Sequence, residues 1–316
     1  MRVALVEHDA SYRHDTGRGH PERPDRIRAA IRGVHESGLD VVRLEAPEAG
    51  LDLITLVHDP TYIAAIARFC AMGGGALDPD TVVGHDSWDA ALRSAGGGPE
   101  AARALMARAA ETAFVAMRPP GHHAMSDRAM GFCLFNNIAI TARWLTEEGN
   151  RVAIVDWDVH HGNGTQVLFY GDPNVYYASF HEFPAYPGTG WIEERGTGPG
   201  RGSTLNLPFP SGTFGSPYRW AMRWLVVPRL EEFQPDWVLV SAGYDAHEAD
   251  PLAGIRLRES DYGVMASLLT QVVPSERIVF FLEGGYDLAA LTGSIAATLR
   301  GVAGEAEAPP ERATFG

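Results

Sequence analysis

One stretch constrains this chain more than any other: Val152-Ala153-Ile154-Val155 runs straight into Asp156-Trp157-Asp158-Val159-His160-His161-Gly162-Asn163-Gly164. Four apolar residues read as a buried strand, which gives way to carboxylates and imidazoles before two glycines break the backbone. Side chains alternate along an extended segment, so Asp156, Asp158 and His160 share one side and can converge on a single ion.

The same pattern recurs along the chain. Residues 2–7, 41–44, 112–117, 175–179, 237–241 and 278–282 read as further short strands, with helical segments between them, including one opening at Asp25 and others over 87–110 and 138–148. This alternation predicts one α/β domain over residues 1–303, with a mostly parallel central sheet and helices on both faces, followed by a flexible tail over 304–316. Ligands in such folds bind outside the carboxyl ends of the strands. Polar residues collect at those ends: His122-His123 beyond Arg118-Pro119-Pro120-Gly121, then His181, Tyr244-Asp245 and Glu283-Gly284-Gly285-Tyr286. The run Gly96-Gly97-Gly98 lacks the strand–GxGxxG–helix context of a nucleotide site and reads as close helix packing or a break.

The formal net charge of −14 argues against non-specific nucleic-acid binding, which depends on neutralising phosphates with Lys and Arg. It favours cationic substrates or partners, or serves solubility alone. Cys70 and Cys133 are too few and too far apart for a structural zinc cage. With no signal-peptide pattern and no apolar stretch long enough to span a bilayer, the chain is expected in the cytoplasm with reduced thiols and no membrane contact.

Asp158, His160 and Asp245 form the expected metal set, because one imidazole and two carboxylates suit Zn²⁺ or Fe²⁺ and leave open positions for water and substrate. His122 and His123 are the acid/base pair. Asp156 is placed to orient one of them and Asn163 the other; a carboxylate raises imidazole basicity and an amide does not, so the two should differ in pKa. The Tyr286 hydroxyl can reach a carbonyl oxygen and stabilise an oxyanion. Phe132 and Tyr186, in loops bounded by glycine and proline, are suited to wall a narrow apolar tunnel.

Taken together, Gly19-His20-Pro21-Glu22-Arg23-Pro24, Arg118-Pro119-Pro120-Gly121-His122-His123-Ala124, Gly131-Phe132-Cys133-Leu134-Phe135-Asn136-Asn137, the stretch from Asp156 to Gly164, Ser241-Ala242-Gly243-Tyr244-Asp245-Ala246-His247 and Glu283-Gly284-Gly285-Tyr286 resemble the zinc-dependent histone deacetylase family. The similarity is greatest to its class II-like bacterial branch, the histone deacetylase-like and acetylpolyamine amidohydrolases; Asn163, where the class I branch has aspartate, agrees with that placement. The resemblance implies an arginase-like α/β fold, Zn²⁺ on Asp158, His160 and Asp245, proton transfer by His122 and His123, and polarisation of the amide carbonyl by Tyr286. It places Phe132 and Tyr186 on the walls of an acyl-lysine tunnel, with Gly131 and Leu252 beside them, and Arg26 at an inner pocket for the released acetate.

It further implies K⁺ beside the zinc strand, at Asp156, Asp158, His160, Ser179 and Phe180, and a second K⁺ near Phe169, Asp172 and Val175. The implied reaction removes an acetyl or other short acyl group from an amine, acetyl-lysine first. An acetylpolyamine or small-molecule deacylase is the alternative, and a non-catalytic acyl-lysine reader stands behind both. Leu252 occupies the place of the acidic gatekeeper of polyamine-selective members and favours a neutral-faced substrate, whereas Asp78, Asp80 and Asp86 near the mouth favour a cationic one. His161 is left without chemistry and is expected to point away from the metal. Oligomerisation is left open.

Overall fold

The computed structural model describes residues 1–307; of the tail expected over 304–316, residues 308–316 lie outside the described residues. Among the described residues ten strands are formed: β1 (Arg2–Glu7), β2 (Asp40–Glu45), β3 (Gly75–Ala76), β4 (Val82–Val83), β5 (Thr112–Val115), β6 (Val152–Asp156), β7 (Val175–Glu182), β8 (Thr204–Phe209), β9 (Trp237–Ala242) and β10 (Ile278–Leu282). Eight of them build one sheet in the order β2-β1-β5-β10-β9-β6-β7-β8, parallel at every pairing. The short β3–β4 hairpin stands apart and is antiparallel.

The period-two alternation of strand side chains divides the interior into two cores. Val3, Leu5, Phe114, Val155, Val240 and Phe280 face one side, covered by helices Asp25–Glu36, Glu259–Leu269 and Leu288–Val302. Val6, Val115, Ile154, Leu239 and Phe281 face the other, covered by helices Pro60–Ala71, Ser87–Met106 and Asn137–Glu147. Helix starts follow local chemistry: the Asn136 side chain accepts from the N–H of Ala139, and Asp287 accepts from Ala289 and Ala290, each satisfying orphan first-turn donors.

The triple glycine lies inside a continuous helix, Ser87–Met106, and is a packing device. A Cβ at Gly98 would collide with the Thr141 hydroxyl and the Phe281 ring, so its absence lets the helix settle against the sheet. Two expectations are corrected at the far side of the sheet. β7 continues to Glu182, because β8 pairs along it in the register Ser179↔Asn206 and His181↔Pro208; His181 is therefore a buried residue within the strand's pairing and not a residue beyond its end. β8 itself was not anticipated, since Asn206 and Pro208 interrupt its apolar run. Among the described residues no helix is long and apolar enough to cross a membrane.

Candidate metal centre and active site

Four adjacent strands, β5, β10, β9 and β6, deliver the polar segments to one place. His122 and His123 follow β5, Glu283 to Tyr286 follow β10, Asp245 follows β9 and Asp158 to Asn163 follow β6. β6 stops at Asp156, so Asp158 and His160 stand on a turn, and the convergence of Asp156, Asp158 and His160 along one extended side is corrected. Asp156 lies beneath the group, where its Oδ2 accepts from His122 Nδ1 at 3.0 Å and from the Tyr177 hydroxyl at 3.1 Å.

What converges is Asp158, His160 and Asp245, whose donor atoms lie within 4.8 Å of one another. His160 Nδ1 is 3.1 Å from Asp158 Oδ1 and 3.1 Å from Asp245 Oδ2. Donors about 2 Å from a tetrahedral ion lie roughly 3.3 Å apart, so the set fits a small divalent cation. Backbone donors fix both carboxylates: Gly284 N–H reaches Asp158 Oδ2 at 2.8 Å and Val159 N–H reaches Asp245 Oδ1 at 2.9 Å. Among the described residues these carboxylates ion-pair only with histidines. Two buried carboxylates facing imidazoles are costly without further positive charge, which a cation supplies.

A cavity of about 230 Å³ opens onto this group. Its lining includes His122, His123, Phe132, Tyr186, Leu252 and Tyr286, with Gly131 and Asp80 also contributing. His123 Nδ1 donates to Asn163 Oδ1 at 2.7 Å, so each histidine has its own partner, and the two rings lie tilted with centroids 4.0 Å apart. Tyr186 stands edge-on to His123 at 5.2 Å, and Phe132 edge-on to Tyr286 at 6.0 Å. Tyr186 and Leu252 remain 40% and 45% exposed and so form the outer rim. Arg26 does not line the cavity: it is buried behind Tyr286, with its guanidinium carbon 5.0 Å from that ring and Nε donating to Gly285 O at 2.7 Å. Asp86 sits at the start of helix Ser87–Met106, paired with His85, away from the lining.

The histone deacetylase domain model matches residues 20–302 of the chain. The chain belongs to the histone deacetylase family. It is 41% identical to a probable deacetylase of Methanothermobacter thermautotrophicus, over 99% of this chain and 94% of that protein. It is also 37% identical to a histone deacetylase-like amidohydrolase of Pseudomonas aeruginosa, over 85% of this chain and 73% of that one. A crystal structure of the HDA15 HD domain superposes with a TM-score of 0.91 at 33% identity, covering 96% of this chain and 91% of that one. The observed architecture is thus the arginase/deacetylase-like fold, and the chain is a hydrolase acting on amide bonds.

Within this deacetylase the two histidines are set in opposite directions. Burial opposes a charge on His122, but the Asp156 and Asp158 carboxylates outweigh it and push the imidazole up to about 10. A cation on Asp158 offsets part of that pull. His123 is held well below the usual range by burial and by the charges of His122 and His160. Burial, reinforced by Asp245, raises Tyr286 and keeps its phenol protonated as a donor.

Two acids with no assigned role support the site. Glu283 Oε2 accepts from the N–H groups of Gly121 at 2.7 Å and His122 at 3.2 Å, and burial pushes its carboxyl up to about 7. Asp250 accepts from Tyr286 N–H at 2.7 Å and Leu252 N–H at 3.0 Å; burial, then the nearby Asp245, pushes it up to about 7. Both flank motifs picked out from the sequence, but only the fold brings their carboxylates onto those backbone donors. His161 points away from the ligand group, with Nδ1 2.8 Å from the Thr189 hydroxyl and Nε2 3.0 Å from Gln166 Oε1. The side chains at the implied potassium positions are engaged elsewhere: Ser179 with His181, and Asp172 with Arg143 at 2.5 Å.

Proposed function

We propose that this protein is a zinc-dependent amidohydrolase that removes an acetyl group from acetyl-lysine side chains. The observation that carries the reading is one arrangement: two histidines with separate partners and a protonated tyrosine, around a three-donor cation set, at the base of a cavity walled by Phe132 and Tyr186. Asp158, His160 and Asp245 would hold Zn²⁺, which when bound supplies Lewis acidity to the amide carbonyl and to water.

The chain's own groups do the rest. Phe132 and Tyr186 pack along the aliphatic stem of the substrate and exclude bulk water. The Tyr286 hydroxyl donates to the amide oxygen as it gains negative charge. His123, kept neutral by burial, accepts the proton of the attacking water at Nε2, while Asn163 fixes its tautomer through Nδ1–H. The proton then passes to the leaving amine nitrogen as the C–N bond breaks. His122, held charged against Asp156, adds positive charge beside the developing oxyanion.

Asp80 on the cavity lining supports a second reading, acetylated polyamines or other cationic small amines. Parallel rate measurements on an acetyl-lysine peptide, acetylputrescine, acetylspermidine and longer acyl-lysines separate the two. The peptide is expected to give the highest kcat/KM; preference for the acetylpolyamines by tenfold or more would reverse the order. Turnover of none would leave an acyl-lysine reader. Potassium, which the family resemblance suggests, would rest on backbone carbonyls beside β6. Cys70 and Cys133 are free and buried, which supports a reducing compartment, the cytoplasm.

A further inference from the structure

Two buried histidines outside the proposed chemistry lie against each other beneath the loop that carries Tyr186, their rings tilted by 55°. The rings of His161 and His181 are 4.9 Å apart, and both residues are fully shielded from solvent. Their hydrogen bonds define each tautomer. Gly190 O only accepts, so His181 Nε2–H donates to it at 2.9 Å, and His181 Nδ1 accepts from the Ser179 hydroxyl at 2.9 Å. Gln166 turns its amide nitrogen to Glu194 and its oxygen to Asn206 Nδ2 at 2.7 Å, so His161 Nε2–H donates to that oxygen and His161 Nδ1 accepts from Thr189.

Both bonds toward solvent land on the end of one loop. Residues 183–191 leave β7, carry Tyr186 at their tip and return to Trp191, whose ring meets Phe183 at 4.4 Å. The loop lies so close to the pair that a Cβ at Gly190 would overlap both imidazoles, and its φ of +89° independently favours glycine. Tyr186 is then left edge-on to His123 and 6.2 Å from the His160 ring.

We propose that His161 and His181 are positioning residues: an imidazole pair that clamps the 183–191 loop from below and so holds Tyr186 as a wall of the acyl-chain passage. The substrate side of this proposal rests on the deacylase reading above; the anchoring of the loop does not. The pair touches no reacting atom and acts through Tyr186. It also accounts for the second histidine of His160-His161 without giving it a ligand role.

The test uses the full-length, metal-loaded enzyme and His181→Ala, with Thr189→Val as a milder change on an exposed loop residue and His181→Gln as the variant that keeps a donor. His181→Ala is expected to raise KM for an acetyl-lysine peptide about five- to tenfold, the scale of one lost hydrogen bond, with kcat and metal content held within about twofold. Thr189→Val should shift KM the same way by less, and His181→Gln should restore most of it. Amide hydrogen exchange over 183–191 should quicken in His181→Ala, whether or not the protein turns over any acylated amine. In a Tyr186→Ala background His181→Ala should leave KM unchanged. The clamp is overturned by an unchanged exchange rate, or by a KM effect that persists in full without Tyr186. If His181→Ala does not fold, Thr189→Val with unaltered exchange is equally decisive against it.

Discussion

Two buried charge clusters lie on either side of Tyr286, and they are closed in opposite ways. Around Glu22, the carboxylate meets Arg118 through both Nε and Nη2 and Arg26 Nη1 at 2.9 Å. The guanidiniums spend their other donors on Ser11 O at 2.7 Å and Gly285 O at 2.7 Å. Every charge there has a permanent partner of opposite sign. Around Asp158, His160 and Asp245, two carboxylates share imidazoles and backbone donors and no guanidinium. A cluster whose charged groups are all tied to fixed protein partners is scaffold; one that leaves carboxylates facing a cavity is built to receive a cation. The two are joined at Tyr286, whose ring has Arg26 on one side and the cavity on the other.

The comparison is broken most forcefully by removing a member of the second cluster. His160→Ala or Asp245→Ala should lose bound metal and reduce turnover on the order of 10³-fold or more, read by metal analysis and kcat/KM. Tyr286→Phe should keep its metal yet lose about 10²-fold or more in kcat, the scale of one oxyanion donor; near-normal turnover would remove that role.

Stability sharpens the contrast because the signs differ. Glu22→Gln leaves two buried guanidiniums short of a counter-charge and should cost about 3–5 kcal/mol in denaturant unfolding. Asp245→Asn in metal-free protein removes a buried carboxyl that burial and the Asp158 charge hold above its usual range, so it should leave stability unchanged or raise it. A matching loss in both would show the clusters to be alike.

The smallest effect is in the pH profile of that unfolding. Burial holds His14 down to about 4, so the fold carries it neutral and loses stability as pH falls from 6.5 toward 4. Burial opposes the Glu22 charge, but Arg118 and Arg26 outweigh it and hold the carboxyl down to about 2; its stabilisation is full above 4.5 and lost as pH falls toward 2. His14→Gln should flatten the upper part of the decline and Glu22→Gln the lower part.

The sheet and its site differ in how far they could be read from the chain. Strands β5, β6, β9 and β10 announce themselves because buried parallel strands are nearly unbroken apolar runs, and their polar ends follow directly. That Asp156 orients one histidine and Asn163 the other was readable from their residue types, but not that Asp156 takes His122 and Asn163 takes His123, because β10 and β9 lie between β5 and β6. β8 was hidden by Asn206 and Pro208, and with it the reason His181 is buried within β7. The supports Glu283 and Asp250 act on backbone N–H groups, which carry no side-chain signature. The contacts that place Arg26 behind Tyr286 join residues far apart in sequence, which periodicity cannot register.

The central claim is that Asp158, His160 and Asp245 hold one divalent cation on which deacylation depends. The direct measurement is acetyl-lysine peptide turnover by enzyme stripped with a chelator, verified metal-free and titrated with Zn²⁺. Activity should vanish on stripping and return in full at one equivalent, with no return in Asp245→Ala. Undiminished turnover by the verified metal-free protein would contradict the account.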